Sequence, residues 1–156
     1  MIMRNRSIML LLVLSIFSCS KENDTADQPI TLSLALTTYT WNIYRQTLVF
    51  EDGSSADLTN TTFKPCELDD LLTFGKDGIF RKSDGGFVCN PLGGSVFNNL
   101  NGAPWTVQDS VLTIMAGFNV QDYKVASWSR TKMTWKQSQT NYLGEKETYV
   151  YDLMAR

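Results

Sequence analysis

From Tyr39 onwards, short stretches rich in Thr, Val, Tyr, Trp and Phe are separated by Gly, Asn, Asp and Ser roughly every ten residues, the rhythm of antiparallel β structure. Side chains along a strand point to opposite faces in turn, so alternation assigns the faces. Thr40 to Phe50 reads as a long first strand, with Trp41 and Ile43 on one face and Asn42 and Tyr44 on the other. A polar connection from Glu51 to Lys64 follows. Leu71 to Phe74 and Ile79 to Lys82 flank Gly75-Lys76-Asp77-Gly78, whose glycines permit the positive φ of a hairpin turn. Phe87 to Cys89 continue the second arm, and Asn90 to Pro104 is loop. Trp105 to Val107 pairs with Val111 to Met115 across Gln108-Asp109-Ser110, and Tyr123 to Trp128 pairs with Lys132 to Lys136 across Ser129-Arg130-Thr131. Met133 and Trp135 alternate with Lys132, Thr134 and Lys136, as one packed and one wet face require. Glu147 to Leu153 closes the chain, while Thr31 to Thr38, with leucines at 32, 34 and 36, fits either a further strand or a short helix closing one end.

An antiparallel meander of about eight strands loses its exposed edges most simply by closing into an up-and-down β-barrel, with an open two-sheet sandwich as the competing architecture. The interior of a barrel of about eight strands just takes side chains or one small ligand.

The chain has 156 residues, which fits one small domain. It carries 14 Lys and Arg against 16 Asp and Glu, without a long basic run, and this argues against a nucleic-acid surface. Histidine is absent. That removes the usual general base, the commonest metal ligand and every Ser-His or Cys-His nucleophile, so no catalytic residue, cofactor or metal is expected.

Arg4 and Arg6 precede an apolar run from Ile8 to Phe17, the layout of a secretory signal. Some ten residues at 1.5 Å each make a helix of about 15 Å, half of a bilayer's hydrocarbon core, so the run targets the chain and does not span. It ends in Ile16-Phe17-Ser18-Cys19, which resembles a bacterial lipobox, where the cysteine is diacylated and becomes the mature N-terminus. Ser20 to Pro29 is polar and has no large apolar side chain, as a flexible tether requires. The organisation is therefore signal peptide 1–18, tether 19–30 after lipidated Cys19, and barrel 31–156. Removing residues 1–18 takes away two arginines and no acid, leaving 12 bases against 16 acids and a net charge of -4. Lys21-Glu22 with Asp24 also resembles the export signal of surface lipoproteins in the Bacteroidetes group. The expected place is the outer membrane, facing the periplasm or the cell surface.

With Cys19 lipidated, Cys66 and Cys89 remain as a pair in an oxidising compartment. A disulfide is the reading, with two buried free thiols as the alternative. It closes a loop of a little over twenty residues, worth about 3 kcal/mol in the chain-entropy model.

The order Thr40-Trp41, Pro65-Cys66-Glu67-Leu68-Asp69-Asp70, Leu72-Thr73-Phe74, Asp77-Gly78, Cys89, Pro104-Trp105-Thr106-Val107 and Leu112-Thr113-Ile114 is similar to the lipocalin-like domain family of Bacteroidetes lipoproteins, over roughly residues 38 to 153. The resemblance implies an up-and-down barrel, a Cys66 to Cys89 disulfide and a lipid anchor, and little about activity. The stretch Asn90 to Gly102, with Phe87 and Phe97, departs from it. Cys89-Asn90 followed by Gly93 or Gly94 also resembles the heat-shock META type of small lipoprotein domain.

Glu67, Asp69 and Asp70 form an acidic cluster, read as capping a turn through backbone amides rather than as a calcium site. Trp105, Trp128, Trp135, Tyr123, Tyr149 and Tyr151 are the candidate lining of a pocket for an apolar or sugar ligand, or else core, with Trp41 as core. Phe87 to Phe118 offers aromatics for a protein-binding rim. Asp24-Thr25-Ala26 and Asp109-Ser110-Val111 resemble O-glycosylation sites, and Asn60-Thr61-Thr62 an N-linked one. Two functions follow: a non-enzymatic, lipid-anchored barrel that binds a small apolar or glycan-like molecule, or an accessory or inhibitor lipoprotein whose filled barrel binds a protein through its loops. A cavity separates them.

Overall fold

The computed structural model describes residues 29–89 and 97–156. The signal segment, Cys19 and its lipid, the tether up to residue 28, the Asp24 sugar site and residues 90–96 of the expected loop lie outside the described residues.

Thr31 opens the first helix, α1 (Leu32–Thr38), its hydroxyl accepting the Leu34 amide at 3.3 Å and satisfying one donor that a helix start leaves free. Leu32, Ala35 and Leu36, spaced for one helical face, are buried in the core. The segment open between strand and helix is thus a helix.

The strands are β1 (Trp41–Phe50), β2 (Ser55–Asp57), β3 (Leu71–Phe74), β4 (Phe80–Ser83), β5 (Trp105–Gln108), β6 (Val111–Ala116), β7 (Asn119–Trp128), β8 (Lys132–Thr140) and β9 (Lys146–Ala155), with a short helix α2 (Thr59–Thr62) after β2. All pair antiparallel in one sheet of order β4-β3-β1-β9-β8-β7-β6-β5, with β2 beside β1. This excludes the two-sheet sandwich. β2 pairs with Thr47 to Val49 and β3 with Trp41, both beside the strand that β9 flanks on its other side. They are one strand interrupted by α2 and the turn from Lys64, so nine strands fill eight positions. The two ends of the sheet meet through Phe80 N–H to Ala103 O (2.8 Å), Gly102 N–H to Phe80 O (2.9 Å) and Trp105 N–H to Gly78 O (2.8 Å), with a bridge between Ile79 and Pro104. That junction is a short seam and not a strand ladder. The up-and-down, lipocalin-like all-β architecture follows from these pairings.

Asp109 and Ser110 both have positive φ (48° and 65°) and form a two-residue turn between β5 and β6, as tight hairpins demand. The alternation expected along β1 holds only to Ile43. A bulge between Ile43 and Arg45 shifts the register, so Trp41 and Ile43 point inward, Tyr44 is exposed, and the inward positions pass to Gln46 and Leu48. Asn42 is buried on the other face because its amide donates to Leu68 O (3.1 Å) and its oxygen accepts Arg156 Nε (3.1 Å). The polar connection 51–64 carries β2 and α2. Phe87 to Cys89 do not extend β4, which ends at Ser83. They form a loop tied down by the Cys66–Cys89 disulfide (Cα separation 5.4 Å) and by the Phe87 amide, which donates to Asp69 Oδ2 at 2.9 Å. Gly85 is required there, since a Cβ would lie 2.1 Å from Asp69 O.

Candidate functional site

Inside the barrel the residue that fills the centre is Phe97, which comes from the loop before β5. It is 2% exposed, and its ring lies 6.0 to 6.5 Å from those of Phe80, Tyr123, Trp135 and Tyr151. The exposed rim expected between Phe87 and Phe118 is therefore corrected at Phe97, which points inward, while Phe87 and Phe118 are exposed. Nothing in the local pattern separates Phe97 from Phe87. Both sit in Gly- and Asn-rich chain, and only the folded barrel selects one ring for its centre.

Of the six candidate pocket residues, Trp135, Tyr123 and Tyr151 are buried around Phe97. Burial pushes the Tyr151 hydroxyl up to about 12, with a Gln46 hydrogen bond acting the other way, and raises Tyr123 still further. Trp105 packs edge-on against Phe74 at 5.2 Å and donates its indole N–H to Gly75 O at 3.2 Å. Trp128, half exposed, pairs with Met133 at the α1 end and donates to Ile30 O at 2.7 Å. Tyr149 is partly buried toward the other end, its hydroxyl 3.4 Å from Glu147 Oε2. Through Phe74, which also packs on Trp135 at 5.8 Å, Trp105 joins the same aromatic cluster, so four of the six share it while Trp128 and Tyr149 do not.

Beneath Phe97 is a polar corner. Lys82 Nζ meets Asp70 Oδ2 at 2.6 Å with both side chains almost fully buried, and Glu67 Oε2 accepts the Lys64 amide at 2.8 Å. Glu67 therefore caps its turn, as expected. The cavity between these groups, Phe63 and Phe97 measures 10 Å³, room for one water molecule. Burial raises the Asp70 carboxyl above its ordinary value, against the pull of Lys82. No group of three or more Cys, Asp or Glu among the described residues is arranged to hold a metal.

The end of the barrel opposite α1 is different. There the β1–β2, β8–β9 and β6–β7 turns stand side by side, because β1 pairs with β9 and β8 with β7. Phe118 (109% exposed) and Tyr142 (94%) project from two of these turns, with Leu143 and Val120 beside them. The β8–β9 turn is rigid: Asn141 Oδ1 accepts the Leu143 and Glu145 amides at 2.9 and 3.0 Å, and Gly144 takes φ +85°. Between it and the β1–β2 turn lies an open groove of about 580 Å³ edged by Phe50, Glu51, Asp52 and Glu145. Tyr142 and Leu143 were missed in the sequence, where the stretch between Lys136 and Glu147 is given no role.

No protein-family model matches the chain, and no curated protein is significantly similar to it. Among solved structures it is similar to bovine odorant binding protein in complex with a selenium-containing odorant (9% identity, TM-score 0.38, covering 83% of this chain and 76% of that one). It is also similar to a deswapped triple mutant of bovine odorant binding protein (13% identity, TM-score 0.32, 77% and 73% covered). The fold assignment rests on the strand ladders.

Proposed function

We propose that the chain is a non-enzymatic lipoprotein of the cell envelope, held to the outer membrane through Cys19, whose filled barrel is a scaffold that presents the β6–β7 and β8–β9 turns to another protein. The observation behind the reading is one contrast: an interior whose rings pack around Phe97, against large apolar side chains held out in water on a rigid turn. Exposed apolar clusters of this kind mark interaction sites, and a pre-ordered turn reduces the entropy lost on binding. The lack of histidine supports a non-enzymatic role. The described chain starts at the α1 end, where Ile30 O accepts the Trp128 indole N–H, so the exposed turns lie at the end of the barrel away from the segment that leads to Cys19.

A photo-crosslinking side chain at Tyr142, compared with one at Ser129 in the β7–β8 turn, tests this in the native host. A discrete adduct from Tyr142, absent from Ser129 and lost when Phe118 and Leu143 become Ser, is expected. Adducts from neither position contradict it.

A second reading, carriage of a small apolar or glycan-like molecule within the barrel, has one observation in its favour. The ring at the centre comes from a loop, whereas Tyr123, Trp135 and Tyr151 around it come from strands. A ligand there must take the place of Phe97. Native mass spectrometry of the chain purified from its host distinguishes the readings by a bound small molecule whose removal changes tryptophan emission.

A further inference from the structure

The outer surface of the long-stranded wall carries a groove that neither the interior nor the exposed turns account for. It is shallow, about 610 Å³, and within the usual range for small-ligand sites. Its floor is a row of register partners running across four strands: Val111 faces Lys124, Lys124 faces Lys136, and Lys136 faces Val150. Two lysines directly opposite on one face repel each other and weaken a strand pair. Among the described residues neither has a salt-bridge partner, the ion pairs there being made by Arg45, Arg81 and Lys82. The groove's acid, Asp122, is engaged by the Thr113 hydroxyl at 2.6 Å. The next row along holds Ser138 and Thr148, hydroxyls 2.9 Å apart, which keep donor and acceptor capacity for a further partner.

Paired cations, adjacent hydroxyls and valine walls together complement a ligand with an anionic group on a hydroxylated body that has an apolar face. We propose that this groove binds an acidic saccharide residue, its carboxylate or phosphate set between Lys124 and Lys136 and its hydroxyls on Ser138 and Thr148. The opposed lysines are then a stability cost kept for binding, since an unpaired like-charge pair contributes nothing to the fold. The site is independent of any protein bound at the turns and of any molecule inside the barrel.

The test uses the full-length, isotope-labelled chain titrated with D-glucuronate, D-glucose 6-phosphate and D-glucose, read by amide chemical shifts. Saturable shifts at Lys124, Lys136, Ser138 and Thr148 are expected with an acidic sugar and not with glucose, and which of the two acids binds more tightly separates a carboxylate from a phosphate ligand. Lys136→Gln is expected to weaken binding at least about tenfold, the effect of losing one charge-assisted hydrogen bond. Lys124→Glu replaces repulsion with attraction, so it raises the melting temperature while abolishing binding, and that combination cannot arise from unfolding. Shifts that glucose reproduces, binding that survives Lys136→Gln, or no saturable shift with either acid overturns the proposal.

Discussion

The two walls of this barrel are held together in different ways. On one side β1, β7, β8 and β9 are nine or ten residues long and pair along most of their length. On the other, β2, β3, β4 and β5 have three or four residues each, one strand position is split in two, and the ends of the sheet meet only at a seam. Where backbone ladders are scarce, side chains and covalent chemistry take over: the Cys66–Cys89 bridge, the buried Lys82–Asp70 pair and the Asp69 contact to Phe87 all lie on the short-stranded side, and Phe97, from the loop before β5, ties that side to Tyr123, Trp135 and Tyr151 of the long wall. A sheet fixed by local hydrogen bonds tolerates change on its surface; one fixed by a few long-range devices does not.

The comparison can be broken most strongly at Phe97. Phe97→Ala removes a ring at the centre of the aromatic cluster and is expected to cost about 4 kcal/mol, measured by urea unfolding. The same substitution at exposed Phe118 is expected to change stability very little, so equal losses at the two positions would contradict a filled interior. Replacing both Cys66 and Cys89 with Ser comes next, at about 3 kcal/mol. Hydrogen exchange should place that loss in β3 and β4 first.

Asp70 gives a smaller effect with a defined sign. Burial raises its carboxyl above the ordinary value, opposed by Lys82, with Asp84 and Asp69 adding to the rise. Between the unfolded value and the raised one, the folded chain holds more of the proton than the unfolded chain, so stability falls as pH increases through that window. Asp70→Asn should flatten this part of the stability profile, and an unchanged slope would mean that Asp70 is not its source. The smallest effect is expected at Asn141. Asn141→Ala frees the β8–β9 turn, leaves the melting temperature nearly unchanged, and lowers crosslinking from Tyr142.

The same division governs how much could be read from the sequence. Along the long wall, alternation carried the assignment: Met133 and Trp135 against Lys132 and Lys136 placed β8 and its inner face, and Ser129-Arg130-Thr131 marked the turn that joins it to β7. The bulge at Tyr44 was hidden, because Trp-Asn-Ile-Tyr-Arg-Gln alternates acceptably in either register and only pairing with β9 selects one. On the short wall, strands of four residues have too few alternations to be bounded, which is why β4 was drawn on to Cys89. The disulfide was legible from cysteine number and the expected compartment. The Lys82–Asp70 pair was not, since its partners are twelve residues apart and meet only once β3 and β4 form. For the site, the aromatics were visible but their grouping was not: Tyr123, Trp135 and Tyr151 come together through the β7–β8–β9 register, while Trp128 and Tyr149 lie toward opposite ends.

Native-state hydrogen exchange, with the Cys66–Cys89 bridge intact and then reduced, tests the two-wall account most directly. The account predicts that amides of β3, β4 and β5 lose protection on reduction while those of β1, β7, β8 and β9 keep theirs. Loss of protection in all strands together would show that the barrel is one cooperative ladder and contradict it.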